Sequence, residues 1–235
     1  MGALAQDLRY ALRQLRKSPA FTTVAMLTLA LGIGANTAIF SVIDAVLLRP
    51  LPFHNPGRLV VVKTTEPGRR DDIGVSYPAF LDWRAQNHVF EVLSAYRTDD
   101  FTLTGVSEPA HLTGAVVSAN TLSLLGVAPA MGRDFTSDED TPSANGRPVI
   151  LSYSLWQERF GSDPNIVGRS VTLSGQPFTV AGVMPAGFQF PVQADPVEFW
   201  TTIALDAESP NGAPPMTAQR GNSYLDVIAR LKPQV

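Results

Sequence analysis

The chain has 235 residues, of which 45% are hydrophobic and 17% charged, and it contains no cysteine. This length allows one large domain or two small ones, and the lack of cysteine excludes disulfides, thiolate zinc sites and cysteine nucleophiles. The first 17 residues carry a net charge of +3 and residues 48–235 a net charge of −5, a distribution typical of a membrane protein rather than a nucleic-acid-binding protein.

The first 17 residues combine a row of leucines with a cluster of basic side chains. The leucines recur at helical spacing, at Leu4, Leu8, Leu12 and Leu15. The basic residues lie largely on the other faces of the same helix and are Arg9, Arg13, Arg16 and Lys17. This pattern predicts an amphipathic helix over residues 1–17 that rests on the cytoplasmic surface of a membrane. The alternative is a solvated helix whose charges only orient the chain.

The next 26 residues, Ser18 to Ile43, contain no charged side chain, and ten of them are Leu, Ile, Val or Phe. A helix needs about 20 apolar residues to cross a hydrocarbon layer of roughly 30 Å, so this stretch predicts a transmembrane helix over residues 18–47. Ser18 can cap such a helix, and Pro19 suits its first turn. A cleaved signal peptide and a buried helix of a soluble core are the alternatives. Signal peptides have a shorter apolar core of about 7–15 residues.

The predicted span contains a stripe of small residues, Ala30, Gly34 and Ala38, at intervals of four. Such a stripe lets a second helix approach closely, although small residues are also common in membrane helices for no such reason. Basic loop residues stay in the cytoplasm, so the basic segment before the span predicts a cytoplasmic N-terminus. In a bacterium, the chain would then be a single-pass protein of the inner membrane, with residues from about 48 onward in the periplasm.

Beyond residue 48 the pattern changes to short strands and short helices. Strands are predicted at 59–63 (a buried strand), 101–105, 111–118, 148–152, 198–205 and 224–232, with a hairpin at 168–185 that turns at Ser174–Gln176. Helices are predicted at 76–86, 118–126 and 153–161, the last two closed by Gly126 and Gly161. Strands and helices mix without a regular βαβ period, which predicts an α+β domain of one or two subdomains over 48–235.

No residue pattern points to catalysis or to a bound metal. The acidic run at 138–140 lacks the spacing of a calcium loop and is interpreted as a solvated acidic loop. The histidines, His54, His88 and His111, are not at metal-ligand spacing, and the sequence has neither a serine-hydrolase elbow nor a nucleotide-binding loop. We therefore predict no enzyme, no cofactor and no catalytic, cofactor-binding or metal-ligating residue.

A series of phrases resembles MacB-like ABC transporter permeases, which belong to the FtsX-like permease superfamily. In chain order they are "DLRYALRQLRKSPAFTTVAMLTLALGIGANTAIFSVIDAVLLRPLPF", "VSYPAFLDWRAQ", "VVSANTLSLLGVAPAMGRDFT", "PVILSYSLWQERFGSDPNIVGRSVTLSGQPFTVAGVMP" and "VIARLKP". The likeness runs almost from end to end. It implies that Leu4–Leu15 form a cytoplasmic surface helix, Phe21–Ile43 the first membrane span, and residues from about 60 to 235 much of a periplasmic core domain.

The resemblance also implies partners and a function. The partners are the lipid bilayer, an ABC ATPase subunit, a second permease chain in a homodimer, and periplasmic proteins. The function is that of a permease component in an ABC-type exporter or mechanotransmission complex, with ATP hydrolysis on a separate subunit. Because family members continue beyond this point, the chain is expected to be truncated, with an incomplete core domain and a poorly covered edge near residues 224–232. The alternative is a membrane-anchored extracytoplasmic interaction module without transport activity.

Overall fold

The computed structural model describes residues 10, 13, 15–43, 53–65, 73–106, 108–141, 146–209 and 212–234. The chain forms two compact units, Met1–Leu51 and Pro52–Val235. The main element of the first is helix α1, Pro19–Ile43, within the predicted span. Residues 44–47, which the prediction also included, lie outside the described residues.

Helix α1 satisfies several of its own polar side chains. The hydroxyls of Thr23, Thr28 and Thr37 donate to the backbone carbonyls four residues earlier, at 2.8–2.9 Å. A threonine hydroxyl bonded back to the helix needs no water. These threonines therefore oppose burial in lipid less than their polarity suggests.

The second unit is built around a sheet. Its strands are β1 (Leu59–Val62), β2 (Phe90–Thr104), β3 (Ala110–Val117), β4 (Met131–Gly132), β5 (Arg147–Leu151), β6 (Ser170–Leu173), β7 (Gln176–Val183), β8 (Phe199–Thr202) and β9 (Asp226–Leu231). Its α-helices are α2 (Tyr77–Gln86), α3 (Thr121–Leu125) and α4 (Tyr153–Phe160). Short 3-10 helices lie at Pro56–Arg58, Ser137–Asp140, Ile203–Ala207 and Met216–Ala218. This mixture confirms the predicted α+β class.

The strands pair in the order β1-β9-β2-β3-β8-β5-β7-β4, and β6 pairs with both β2 and β7. The pairings therefore close a ring of six strands, β2-β3-β8-β5-β7-β6. Strand β2 belongs both to this ring and to the rest of the sheet, because its first half pairs with β9 and its second half with β3. The β1-β9 pair extends the sheet beyond this ring.

Two clusters of buried side chains lie on opposite faces of the strands, as strand alternation requires. On β8, Phe199 joins the first cluster, whereas its neighbour Trp200 joins the second. In the first cluster the rings of Phe101 and Phe199 meet edge to face, with centroids 5.0 Å apart. Gly114 leaves the space for this pair, because a Cβ atom there would lie 2.4 Å from the Phe199 ring.

The predicted helix ends are confirmed, since Gly126 and Gly161 adopt left-handed conformations with φ of 72° and 59° directly after α3 and α4. Other expectations are wrong. Strand β1 is at the edge of the sheet rather than buried, and Val61 is 54% exposed. Strand β8 ends at Thr202, where a 3-10 helix begins.

The expected open edge near residues 224–232 is also wrong. Strand β9 lies between β1 and β2 and is hydrogen-bonded to both. Four of its six residues are buried. Within the described residues, the outer strand on this side of the sheet is instead β1.

Candidate functional site

Helix α1 is a candidate membrane span. Its residues Pro19–Ser41 are long and apolar enough to cross a bilayer, and its apolar stretch is not buried inside the structure. Large apolar side chains such as Leu31, which is 79% exposed, face outward. Among the described residues it is the one helix with this length and composition. A core helix of a soluble protein is mostly buried, so this exposure favours a membrane span over that alternative.

The predicted packing residues Ala30, Gly34 and Ala38 are all exposed on α1. A Cβ atom built at Gly34 meets nothing within 4 Å, so the stripe is accessible within the described part of the chain. Of the predicted topology-setting residues, Arg13, Arg16 and Lys17 are exposed, and Arg9 lies outside the described residues.

The segment Phe53–Arg58, here called the junction segment, follows α1 by ten residues and is the first described part of the second unit. Phe53 is buried and meets the rings of Phe188 and Phe190 edge to face, with centroids 6.3 and 6.4 Å away. The backbone N–H of His54 donates to the Leu125 carbonyl at 2.9 Å. The junction segment is thus fixed to an aromatic cluster and to the end of α3.

Two arginines add further bonds to the junction segment. Arg58 donates through Nε to the Leu231 carbonyl at 2.9 Å and pairs with Glu91 at 2.7 Å. Arg230, only 6% exposed, donates to the Leu124 carbonyl at 2.5 Å and to the Asn55 carbonyl at 3.5 Å. The junction segment is therefore bonded to β9, and through Arg230 it is also linked to α3.

The sequence alone does not reveal the contacts that these two arginines make. Their main acceptors are backbone carbonyls, and a carbonyl acceptor leaves no mark in a sequence. The one available signal is the position of Arg230, a basic residue inside the otherwise apolar middle of β9. A charged residue at a buried strand position needs bonded partners.

The turn before α3 is held by Asp140. Its Oδ1 accepts a hydrogen bond from the backbone N–H of Ala119 at 2.7 Å. Residues 138–140 form the end of a 3-10 helix, so the expected solvated loop is wrong for Asp140, which is partly buried. Burial raises its pKa to about 6, partly offset by the Ala119 hydrogen bond and the charge of Arg84.

The other two carboxyls of this 3-10 helix behave differently. A hydrogen bond from Thr136 lowers the pKa of the exposed Asp138. A hydrogen bond from Arg133 lowers the pKa of Glu139. Of the three acidic residues at 138–140, Asp140 is therefore the one whose pKa is raised, because burial outweighs the contacts that favour its charged form.

A buried ionic group fixes the segment after β8. Asp206 is 3% exposed and accepts hydrogen bonds from Arg97 of β2, with its Oδ1 2.5 Å from Nη2 and its Oδ2 3.0 Å from Nε. The same guanidinium donates to the half-exposed Asp99 at 2.6 Å. These carboxylates raise the pKa of Arg97 against the opposing effect of burial.

A cleft of about 430 Å³ lies beside β5 and β7. Its walls carry two arginine–glutamate pairs, Arg133–Glu139 and Arg147–Glu208, each with a shortest N–O distance of 2.7 Å. Both guanidinium groups are therefore paired with carboxylates. Across the described residues, no group of three or more His, Asp or Glu could hold a metal ion.

Three solved structures share this fold. The extracellular domain of the noncanonic ABC-type transporter YknZ from Gram-positive bacteria is 18% identical, with a TM-score of 0.52 and coverage of 74% of this chain and 82% of that one. The periplasmic region of MacB from Actinobacillus actinomycetemcomitans is 12% identical, with a TM-score of 0.55 and coverage of 75% of both chains. A domain of a Porphyromonas gingivalis protein described as a permease is 19% identical, with a TM-score of 0.52 and coverage of 78% and 79%.

The comparison with protein families covers more of the chain. No curated protein matches the sequence. The family model of the MacB-like periplasmic core domain matches residues 22–235, which include most of α1 and all nine described strands. The match confirms the family resemblance that the ordered sequence phrases indicated. The chain belongs to the family of the MacB-like periplasmic core domain.

Proposed function

We propose that this chain is the permease component of an ABC-type exporter or mechanotransmission complex. In this proposal it supplies the first membrane span and the periplasmic core domain, while a separate subunit hydrolyses ATP. The observation that carries the proposal is that an exposed, uncharged helix of 25 residues, α1, belongs to the same chain as a MacB-like core domain. An exposed apolar helix is stable in lipid or against another apolar surface.

The proposed topology follows from charge. Residues 1–17 lie on the cytoplasmic face of the bacterial inner membrane, residues 18–47 span it, and residues 48–235 form the periplasmic core domain. The basic residues Arg9, Arg13, Arg16 and Lys17 retain the N-terminus in the cytoplasm.

The junction segment suits the transmission of force. A movement of the span can reach the outer domain only if the chain that follows the span is firmly attached. Phe53, Arg58 and the backbone of His54 attach this segment to three different parts of the sheet unit. We propose that this attachment carries movement from the span into the core domain and toward periplasmic partner proteins.

The small-residue stripe is proposed as the contact with a second permease chain. The test replaces Gly34, on the stripe, and Gly32, on another face, each by leucine. A Cβ atom at either glycine would meet nothing within 4 Å, so both variants fit in the single chain. Ala30→Cys serves as reporter, because the chain has no other cysteine.

We expect oxidation in native membranes to cross-link two copies through Cys at position 30. Gly34→Leu should abolish the cross-link because it separates the helices, whereas Gly32→Leu should retain it. Equal loss in both variants, or no cross-link in the parent, would contradict the homodimer.

Affinity purification tests whether an ABC ATPase subunit binds this chain. The chain is expressed in its native host with an affinity tag after Val235, extracted in mild detergent and captured. We expect an ABC ATPase subunit to co-purify, and ATP hydrolysis to appear in the captured material. Capture of envelope proteins alone, without ATPase, would favour the membrane-anchored interaction module.

A further inference from the structure

The cleft beside β5 and β7 has the size of a site for a small molecule. Its volume is about 430 Å³, and pockets that hold small molecules measure about 300–1,000 Å³. It is lined by the chain after β4, the start of β5, the loop before β6, the middle of β7, and the end of β8 with the 3-10 helix that follows. The function proposed above does not use this cleft.

Part of the cleft lining is apolar. The apolar side chains come from several segments and include Pro148, Val167, Ala181, Ala204 and Leu205. Val167 is 40% exposed, so some of this apolar surface meets solvent. An apolar group that enters the cleft would remove such surface from water, which is favourable.

Four of the charged residues in the lining form two pairs. Arg133 pairs with Glu139 and Arg147 with Glu208, each at a shortest distance of 2.7 Å. In both pairs, two nitrogen atoms of the guanidinium donate to the two carboxylate oxygens. Such bidentate pairs are among the strong hydrogen-bonded pairs in proteins. An anion that entered the cleft would therefore have to compete with a carboxylate for either arginine.

The remaining charged residue of the lining is Asp138. It is exposed, and within the described part of the chain it forms no ion pair. A hydrogen bond from Thr136 lowers its pKa, and the charge of Arg133 lowers it as well, so Asp138 is ionised at neutral pH. Since the other four charges cancel in pairs, the described lining carries a net charge of −1.

We propose that this cleft binds small organic cations that carry an ammonium group on a short apolar chain. The ammonium group pairs with Asp138, and the apolar chain covers the apolar part of the lining. Lysine side chains divide in the same way at protein surfaces, where the stem lies on apolar surface and the ammonium group stays in water. Because Asp138 is exposed, the ion pair contributes selectivity more than affinity.

The experiment measures binding by NMR on the full chain in nanodiscs of phosphatidylcholine, a lipid without net charge, at about pH 7. The probe is acetyl-lysine amide. Its matched controls are acetyl-norleucine amide, which has an uncharged apolar chain, and acetyl-glutamate amide, which has an anionic one. The signals followed are the backbone amides of Val167, Thr179 and Ala181, which line the cleft. We expect saturable shifts with a roughly millimolar dissociation constant, as the size of the probe implies.

The three probes should differ in affinity for the parent chain. We expect the lysine probe to bind about three- to five-fold more tightly than the norleucine probe, which is the upper range for an exposed ion pair. The glutamate probe should bind most weakly, because it meets a lining of its own charge.

Two substitutions at Asp138 change this order in opposite ways. Asp138→Asn should reduce the affinity of the lysine probe to that of the norleucine probe. Asp138→Lys should make the glutamate probe the tightest of the three. The control Asp195→Asn removes an exposed carboxylate outside the cleft and should change each affinity by less than about two-fold. Unchanged amide shifts away from the cleft verify that each variant is folded.

n-Butylamine, which is the lysine side chain without its peptide groups, distinguishes two sources of this chemistry. Binding equal to that of the lysine probe indicates a free amine as the ligand. Weaker but saturable binding indicates a lysine presented by a peptide.

Equal affinities of the lysine and norleucine probes for the parent chain would overturn the inference. So would the same loss of affinity in Asp138→Asn and Asp195→Asn, or the lack of a saturable shift with the lysine probe. These measurements need no ATPase subunit. A failure of the cation site and a failure of the proposed function are therefore distinguishable.

Discussion

Arg230, within β9, donates a hydrogen bond of 2.5 Å to the carbonyl of Leu124, in the last turn of α3. This bond joins a strand near the end of the chain to a helix near its middle. Both elements also border the junction segment, since Arg230 reaches the Asn55 carbonyl and Leu125 accepts from the His54 backbone. Three distant parts of the sequence therefore meet at the junction segment.

The first prediction concerns this arginine. Arg230→Met keeps much of the side-chain volume but leaves the buried Leu124 carbonyl without its donor. We expect the free energy of unfolding to fall by about 1–3 kcal/mol, measured by urea denaturation in detergent with Trp fluorescence as the signal. The control Arg169→Met removes a largely exposed guanidinium that pairs with Asp163 and should cost less than about 1 kcal/mol. Equal losses of stability in the two variants would mean that the buried hydrogen bond of Arg230 contributes no more to stability than an exposed ion pair.

The second prediction concerns the space between two strands. Gly114→Ala places a Cβ atom against the ring of Phe199, which cannot retreat because Phe101 packs on it. We expect a loss of about 1–3 kcal/mol in the free energy of unfolding from overpacking. Gly57→Ala makes the same chemical change where nothing lies within 4 Å, and it should shift stability by no more than about 0.5 kcal/mol. A neutral Gly114→Ala would show that the ring has room to move.

The third prediction compares the contributions of the two carboxylates that pair with the guanidinium of Arg97. Asp206→Asn removes the buried partner of Arg97, and Asp99→Asn removes the half-exposed one. Since a buried charge left without its partner is costly, we expect a loss of about 3 kcal/mol for the first variant. The second should lose no more than about 1 kcal/mol. Thermal and urea unfolding at neutral pH provide the comparison, and a reversed order would refute the role assigned to Asp206.

The fourth prediction is the pH dependence of stability at Asp140. Because its folded pKa of about 6 exceeds the ordinary value of 3.8, the folded chain binds a proton in this range that the unfolded chain does not. Lowering the pH through about 6 toward about 4 therefore adds stability at this residue, and raising it through about 6 removes that stability. Asp140→Asn should be more stable than the parent at about pH 7.5, by at most about 3 kcal/mol.

The difference between parent and Asp140→Asn should shrink as the pH approaches about 4. Measuring that difference isolates Asp140 from the other titrating groups, such as Glu198, whose pKa burial also raises. Asp138→Asn should show no gain of this kind, since a hydrogen bond lowers the pKa of Asp138. A constant difference between about pH 7.5 and about pH 4 would contradict the prediction.

Local sequence signals predict much of the fold. The uncharged run corresponds to α1, and the glycines at 126 and 161 correctly mark the ends of α3 and α4. The hairpin turn predicted at Ser174–Gln176 is found at Ser174–Gly175, with Gln176 already the first residue of β7. These features depend on neighbours in sequence, so a single sequence is sufficient to find them.

Features that depend on distant partners are not predictable in the same way. The apolar pattern at 226–231 predicts a strand, but nothing local shows that β9 lies between β1 and β2. The acidic run suggests a solvated Asp140, whereas the packing around the turn before α3 withdraws this carboxyl from water. The contacts of the junction segment also give no local signal in the sequence, because its bonds with Leu231 and Arg230 join residues 173 and 175 positions apart.

We propose that α1 crosses the membrane with the basic segment in the cytoplasm and the core domain in the periplasm. Topology reporters fused after Lys17 and after Val235 test it most directly, in the same host and with the same linker. We expect cytoplasmic activity for the first fusion and periplasmic activity for the second. Activity of both reporters on the same side of the membrane would contradict it.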